Sequence, residues 1–250
     1  MMSKIKTITR DIYRRFKFYR PDGFKLNSTM AQFFINRPGL KSSYAVCDFL
    51  GFMLGDYRDG INYEFEIRDS NGIVCQKHRQ TLAQCESFEF IPDYSRLPES
   101  GSCYITAQLN TKFSFNLALY RQLSPHFYVR YFGENGIGLV HTQTALSRKS
   151  ASNAEWFSSS IFQGCDGIEL LILNPSPDKL TGSAFLLDDR LAQLTAREYS
   201  INPYGVTSVN FSTDPLFQSG YRIGLAGMGA TNAKPHAIVW NSENAYIMHT

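Results

Sequence analysis

The sequence predicts an all-β protein: tandem duplicated antiparallel β-sandwiches with a short N-terminal amphipathic helix. Three observations predict it. One phrase is written twice, as PHFYVRYFGENGIGLVHT from Pro125 to Thr142 and as PHAIVWNSENAYIMHT from Pro235 to Thr250. Short runs such as GIELLILNP, TSVNF and AYIMH are rich in β-branched and aromatic residues and are bounded by Gly, Asn, Pro or Asp, which is the signature of strands between turns. Only the first residues of the chain carry an apolar period of helical length.

The arm spans residues 1–25. Ile5, Ile8, Ile12, Phe16 and Tyr19 advance in steps of three and four, which places them on one stripe of an α-helix. Ser3 or Thr7 can cap its start, and Pro21-Asp22-Gly23 stops it. Arg10, Arg14, Arg15, Lys17 and Arg20 join Lys4, Lys6 and Lys25 to make eight basic residues against Asp11 and Asp22. The rest of the chain carries 17 basic and 20 acidic residues, so the formal net charge of +3 hides an acidic body behind a basic arm. Such a helix docks on an anionic membrane surface, on a protein partner or on its own body. Nucleic acid is not the expected partner, although basic charge alone would permit it.

Two repeats follow, at 26–142 and 143–250. Four segments match in the same order. The repeated phrase is one, with His126 and His236 standing 110 positions apart and His141 and His249 standing 108 apart. FEIRDSNGIVCQKHRQTLAQCESFEF, from Phe65 to Phe90, matches FLLDDRLAQLTAREYSINPYGVTSVNF, from Phe185 to Phe211. GSCYITAQL at Gly101 matches SGYRIGLAG at Ser219, and SSYAVCDFLGF at Ser42 matches SNAEWFSSSIF at Ser152. Asp69-Ser70-Asn71-Gly72 and Glu134-Asn135-Gly136 read as hairpin turns in which Asn and Gly both take positive φ. The polar stretch HTQTALSRKSASNAE reads as the boundary. Strands at this spacing indicate sandwiches, either as separate domains or as one continuous double sandwich.

No run of about 18 apolar residues occurs, and the N-terminal apolar residues are interrupted by Lys and Arg, so neither a membrane span nor a signal peptide is expected. The expected location is the cytoplasm, peripheral at the membrane where the arm docks. The five cysteines include no C-x-x-C pair, so reduced thiols packed as small hydrophobes are expected rather than a zinc ribbon.

His141-Thr142-Gln143, Ser147-Arg148-Lys149 and Asn153-Ala154 together resemble a phrase of the sensory-rhodopsin transducer-like family, small soluble bacterial β-sandwich proteins. LLILNPSPDKLTGSAFLL and INPYGVTSVNF are similar to strand–turn–strand segments of the same family. The resemblance covers the second half of the chain. It departs from the family at Gln143, where the family has Arg, in the doubling of the chain and in the basic arm. It implies a non-enzymatic, signalling-related sandwich that works by binding, not a rhodopsin partner.

Catalytic motifs are missing from the sequence. There is no P-loop, no nucleophile elbow and no H-E-x-x-H. Gly133, Gly136 and Gly138 have the wrong spacing for a dinucleotide loop, and Gly227-x-Gly229 lacks a following helix. Asp188-Asp189-Arg190 reads as a turn. No catalytic residue and no cofactor are therefore assigned. His126, His141, His236 and His249 form a candidate metal set, since a hairpin could bring paired imidazoles to one face beside Glu134. Tyr128, Tyr131, Trp240 and Tyr246 are candidate exposed aromatics for stacking on a sugar ring. The reading is a non-catalytic binding or scaffolding protein. Its expected partners are a protein or its own copies through open strand edges, an anionic membrane surface, or carbohydrate. A carbohydrate-binding module protein and a His-dependent metalloenzyme are the alternatives.

Overall fold

The computed structural model describes residues 24–48, 60–111, 127–133, 136–141, 144–145, 155–157, 165–188, 190–211, 221–227, 235–240 and 245–249. The helix expected over 1–25 lies outside them except for Phe24 and Lys25, which already belong to the first strand. Seventeen strands and one 3-10 turn make up the regular structure of the described residues. The first eight strands are β1 (Phe24–Arg37), β2 (Leu40–Cys47), β3 (Ile61–Asp69), β4 (Val74–Leu82), β5 (Ser87–Phe90), β6 (Ser100–Thr111), β7 (Phe127–Gly133) and β8 (Gly136–His141). Within the predicted boundary stretch, β9 (Thr144–Ala145) pairs with Met30 and Ala31 of β1. The others are β10 (Glu155–Phe157), β11 (Gly167–Leu173), β12 (Leu180–Leu187), β13 (Gln193–Ile201), β14 (Val206–Asn210), β15 (Arg222–Ala226), β16 (His236–Trp240) and β17 (Ala245–His249).

The strands form antiparallel sheets whose orders run parallel between the halves. In the first half they read β4-β3-β6-β1 and β5-β2-β7-β8, joined because β1 pairs with β6 over Phe24–Ile35 and with β2 at Asn36 and Arg37. In the second half they read β13-β12-β15-β10 and β14-β11-β16-β17. Thus β10 stands against β15 as β1 stands against β6. This corrects the sequence match of Ser42 with Ser152: the strand after Ser42 is β2, whose place is taken by β11 and not by β10.

Local chemistry accounts for the strands and turns. In β3, Ile61, Tyr63, Phe65 and Ile67 are buried, while Asn62, Glu64, Glu66 and Arg68 alternate outward, as a sheet with one covered face requires. The β3–β4 turn is held by the Asp69 carboxylate, whose Oδ1 accepts from the N–H of Asn71 at 2.9 Å and of Ile73 at 2.8 Å. Only Gly72 takes positive φ, at 84°, so the expected Asn-Gly pair of left-handed residues is not the turn found; the carboxylate replaces it. Asp188 does the same between β12 and β13, accepting from Arg190 at 2.9 Å and Ala192 at 2.8 Å, with Leu191 at φ 64°. Each hairpin also shifts register at one site, between Ile67 and Arg68 and between Leu186 and Leu187.

β11 is buried along its whole length. Ile168, Leu170 and Ile172 fill a core shared with Leu186, Val209, Phe211, Ile223 and Val239. Leu171 and Leu173, on the opposite face, join Val206, Ile238 and Ile247 in a second core that includes Phe33, Tyr44, Phe65, Tyr104 and Tyr131 of the first half. A strand covered on both faces needs an uninterrupted apolar run, which GIELLIL supplies apart from Glu169.

Candidate functional site

A polar face lies on the outward side of β3, β4 and β6. Antiparallel register lines up Gln108, Asn62 and Thr81 in one row and Thr106, Glu64 and Arg79 in the next. Thr81 Oγ1 donates to Asn62 Oδ1 at 2.7 Å, and Arg79 Nε donates to Glu64 Oε2 at 2.6 Å. Farther along, Glu66 accepts from Arg68 Nη2 at 2.6 Å and from Lys77 Nζ. Burial pushes the Glu66 carboxyl up, but the hydrogen bonds and charges of Lys77 and Arg68 outweigh it and hold the group below its ordinary range. A cleft of about 380 Å³ opens on this face, lined by Asn62, Tyr63, Glu64, Arg79, Gln80, Thr81 and Gln108.

One end of the polar face runs into the seam between the halves. The Arg68 guanidinium lies 4.9 Å from the Tyr104 ring and 5.2 Å from the Tyr204 ring, and these two rings meet edge to face at 5.9 Å. Ser102 Oγ donates to the Tyr204 carbonyl at 3.2 Å, and Val206 N–H donates to the Ser70 carbonyl at 3.0 Å. Gly72 packs so closely that a Cβ there would stand 2.1 Å from the Pro203 carbonyl oxygen. Across the same seam Arg37 of β1 pairs with Glu169 of β11.

The structure disperses the residues singled out by sequence. His141 is exposed and stands opposite Tyr128 in the register of β7 and β8. His236 is buried in the seam, its ring 4.6 Å from that of Phe33 and 6.1 Å from that of Tyr131. His126 lies outside the described residues, as does the side chain of His249. Among the described residues no group of three or more His, Cys, Asp or Glu could hold a metal ion. The spacing of 108 between His141 and His249 is not a structural equivalence. His249 pairs with His236, while His141 pairs with Tyr128, whose counterpart Ile238 faces Ile247.

Among the aromatics, Tyr128 is 47% exposed. Tyr131 is a correction: it is 1% exposed, turned into the core with its hydroxyl against the Phe33 carbonyl, because odd-numbered residues of β7 face inward. Trp240 is partly buried against the same core, and the Tyr246 side chain lies outside the described residues. The arm residues Ile5, Ile8, Arg10, Ile12, Arg14, Arg15, Phe16, Lys17, Tyr19 and Arg20 lie outside them too. The expectation of packed thiols holds for Cys103, which is buried; Cys47, Cys75 and Cys85 are exposed. Burial pushes the thiols of Cys103 and Cys165 up, the opposite of activation as nucleophiles. Sequence reasoning missed the polar cleft. Its signal was the run of outward polar residues in INYEFEIRD and VCQKHRQTL, which on its own reads only as a solvated face.

No protein-family model matches this chain, and no curated protein matches it either. Among the described residues no helix is long and apolar enough to cross a membrane.

Proposed function

We propose that this chain is a non-catalytic binding or scaffolding protein, built by tandem duplication of one β-sandwich, with the basic arm docking it on an anionic membrane surface or a protein partner. The observation that carries the reading is how the described charges are used. Glu64 with Arg79, Glu66 with Arg68 and Lys77, and Glu89 with Arg130 pair along sheet faces, while Arg37 with Glu169 ties the halves. These groups serve to hold surfaces in shape and are spread over several sheets rather than converging on one reacting centre. The duplication is supported by the matching strand orders and by the two Asp-held turns with register shifts at corresponding places. The resemblance to transducer-like sandwich proteins supports a binding role related to signalling, and the basic arm of residues 1–25 supports docking at the membrane surface. β4 and β13 close their sheets as edges and are the strands through which copies of the chain associate.

Flotation with liposomes tests the arm. The full chain floats with anionic vesicles and not with neutral ones, and reversing charge at Arg14 and Arg15 weakens it, because each basic residue near the surface contributes about 1 kcal/mol. Equal behaviour of the full chain with both vesicle types removes the membrane part of the reading. Sedimentation at several concentrations then decides whether copies or other proteins are the partner.

A further inference from the structure

We propose that the cleft on the outward face of β3, β4 and β6 is a binding site for a neutral, hydroxyl-rich ligand, a saccharide; this rests on the reading of the chain as a binding protein and names what one of its surfaces binds. The argument starts from charge. Glu64 and Arg79 are the only ionised residues in the lining and they pair with each other at 2.6 Å, so the cleft carries no net charge to select an anion or a cation. The remaining outward side chains of the lining are the amides of Asn62 and Gln108 and the hydroxyl of Thr81, Gln80 standing opposite the inward Tyr63.

The hydrogen-bond inventory of those groups is half spent. Asn62 Oδ1 is used by Thr81. Left over on this face among the described residues are the amide donor of Asn62, both ends of the Gln108 amide and the terminal guanidinium nitrogens of Arg79. Donors and acceptors therefore alternate over a few ångströms along two registered rows of a rigid sheet. A hydroxyl group both donates and accepts, and a sugar presents several at similar spacing. A lipid tail or apolar drug-like molecule finds no apolar wall to match, because the lining is polar. The volume of about 380 Å³ falls in the range of small-molecule sites, roughly 300–1,000 Å³. A saccharide held mainly by hydrogen bonds exchanges them against water and binds weakly, and its binding is insensitive to salt.

The test probes a glycan array with the labelled full chain and with an N62A/Q108A variant, whose fold is checked by circular dichroism. Both residues are exposed, so the variant leaves the core intact. The full chain is expected to retain at least one class of neutral oligosaccharide, with retention about tenfold lower in the variant and unchanged between about 0.05 and 0.5 M salt. A Tyr128→Ala chain serves as the control and binds as the unaltered chain does. The proposal is overturned by absence of any neutral glycan, by equal retention in the variant, or by binding to acidic glycans alone that salt removes. Any of these leaves the membrane and partner reading standing, since liposome flotation tests that through residues of the arm.

Discussion

Arg37 grips Glu169 with both terminal nitrogens, Nη1 to Oε2 at 2.5 Å and Nη2 to Oε1 at 2.7 Å, and so fastens β1 in the first half of the chain to β11 in the second. The carboxylate side chain keeps 8% of its exposure and the guanidinium 26%. Removing Arg37 leaves a carboxylate in the seam without its cation. Arg37→Ala is expected to cost about 2 kcal/mol, below the 3–5 kcal/mol range of fully buried pairs because the arginine is partly solvated. The double change Arg37→Met with Glu169→Leu should cost less than either single truncation, since no charge is stranded. Urea unfolding midpoints of the set give the comparison; a double loss equal to the sum of the two single losses would mean that the pair does not couple.

The same pair sets a pH dependence. Burial pushes the Glu169 carboxyl up, but hydrogen bonds from Arg37 and Ser208 and the arginine's charge outweigh it and hold the group below its ordinary range. A carboxyl lowered on folding contributes stability above its unfolded value, near 4.3 for glutamate, and loses it as pH falls through the folded value. Melting temperature should thus be flat from neutrality down to about pH 5 and then fall. Glu169→Gln should start lower and fall less steeply. A residual slope remains from Glu66, which is lowered in the same direction by Lys77 and Arg68 against its burial. A Glu169→Gln chain with an unchanged acid slope would show that other carboxyls govern the transition.

Gly72 and Leu191 occupy the same place in the two Asp-held turns, and only one can carry a side chain without cost at the seam. At Gly72 a Cβ meets the Pro203 carbonyl oxygen at 2.1 Å, and Asn202 Nδ2 reaches Asn71 Oδ1 at 3.1 Å beside it. Gly72→Leu is expected to push its turn away from the Pro203–Gly205 turn between β13 and β14, while the hairpin, held by Asp69, stays formed. The amide of Val206, which donates to Ser70 across the seam, should then exchange with solvent faster, by about tenfold or more for each 1.4 kcal/mol of seam stability lost. The reverse change is expected to help. Leu191 is exposed at φ 64°, a conformation that costs an L-residue about 1 kcal/mol, so Leu191→Gly should raise the melting temperature.

Which parts of this were legible in the sequence follows from what sets each feature. Alternation in INYEFEIRD and the unbroken run GIELLIL are properties of single strands, and the burial of β3 and β11 follows them. Phe90 stands opposite Tyr44 of β2, and Phe211 donates its N–H to the Ile168 carbonyl of β11, so each closing Phe of the two segments lies beside a central strand. The His-Thr match failed for a reason that identity cannot reveal. Between the paired residues Arg130 and Leu139 the chain runs through eight residues, and between their counterparts Trp240 and Ala245 through four. The shorter hairpin sets a different register, so His249 stands opposite His236 while His141 stands opposite Tyr128. The polar cleft was hidden for a different reason, since it depends on three strands standing in register and two of them are joined through a long separation in sequence.

His236 gives the last prediction, because its neighbours separate a packing role from a ligand role. It is 3% exposed, wedged between the rings of Phe33 and Tyr131 on the face of β16 that also carries Ile238. Truncation to Ala removes a ring from a close-packed seam, and by analogy with large-to-small changes in cores it should cost about 2–4 kcal/mol. His236→Phe, which keeps the ring and drops the nitrogens, should recover most of that loss if packing is the role. His141, exposed on the far side of β8, should be neutral to truncation within about 0.5 kcal/mol. A histidine metal set predicts a different pattern: zinc raises the melting temperature of the unaltered chain, and both His236→Phe and His141→Ala abolish that rise. Thermal melts of the three chains with and without zinc distinguish the two patterns, and the dispersed positions of the described histidines lead to the first.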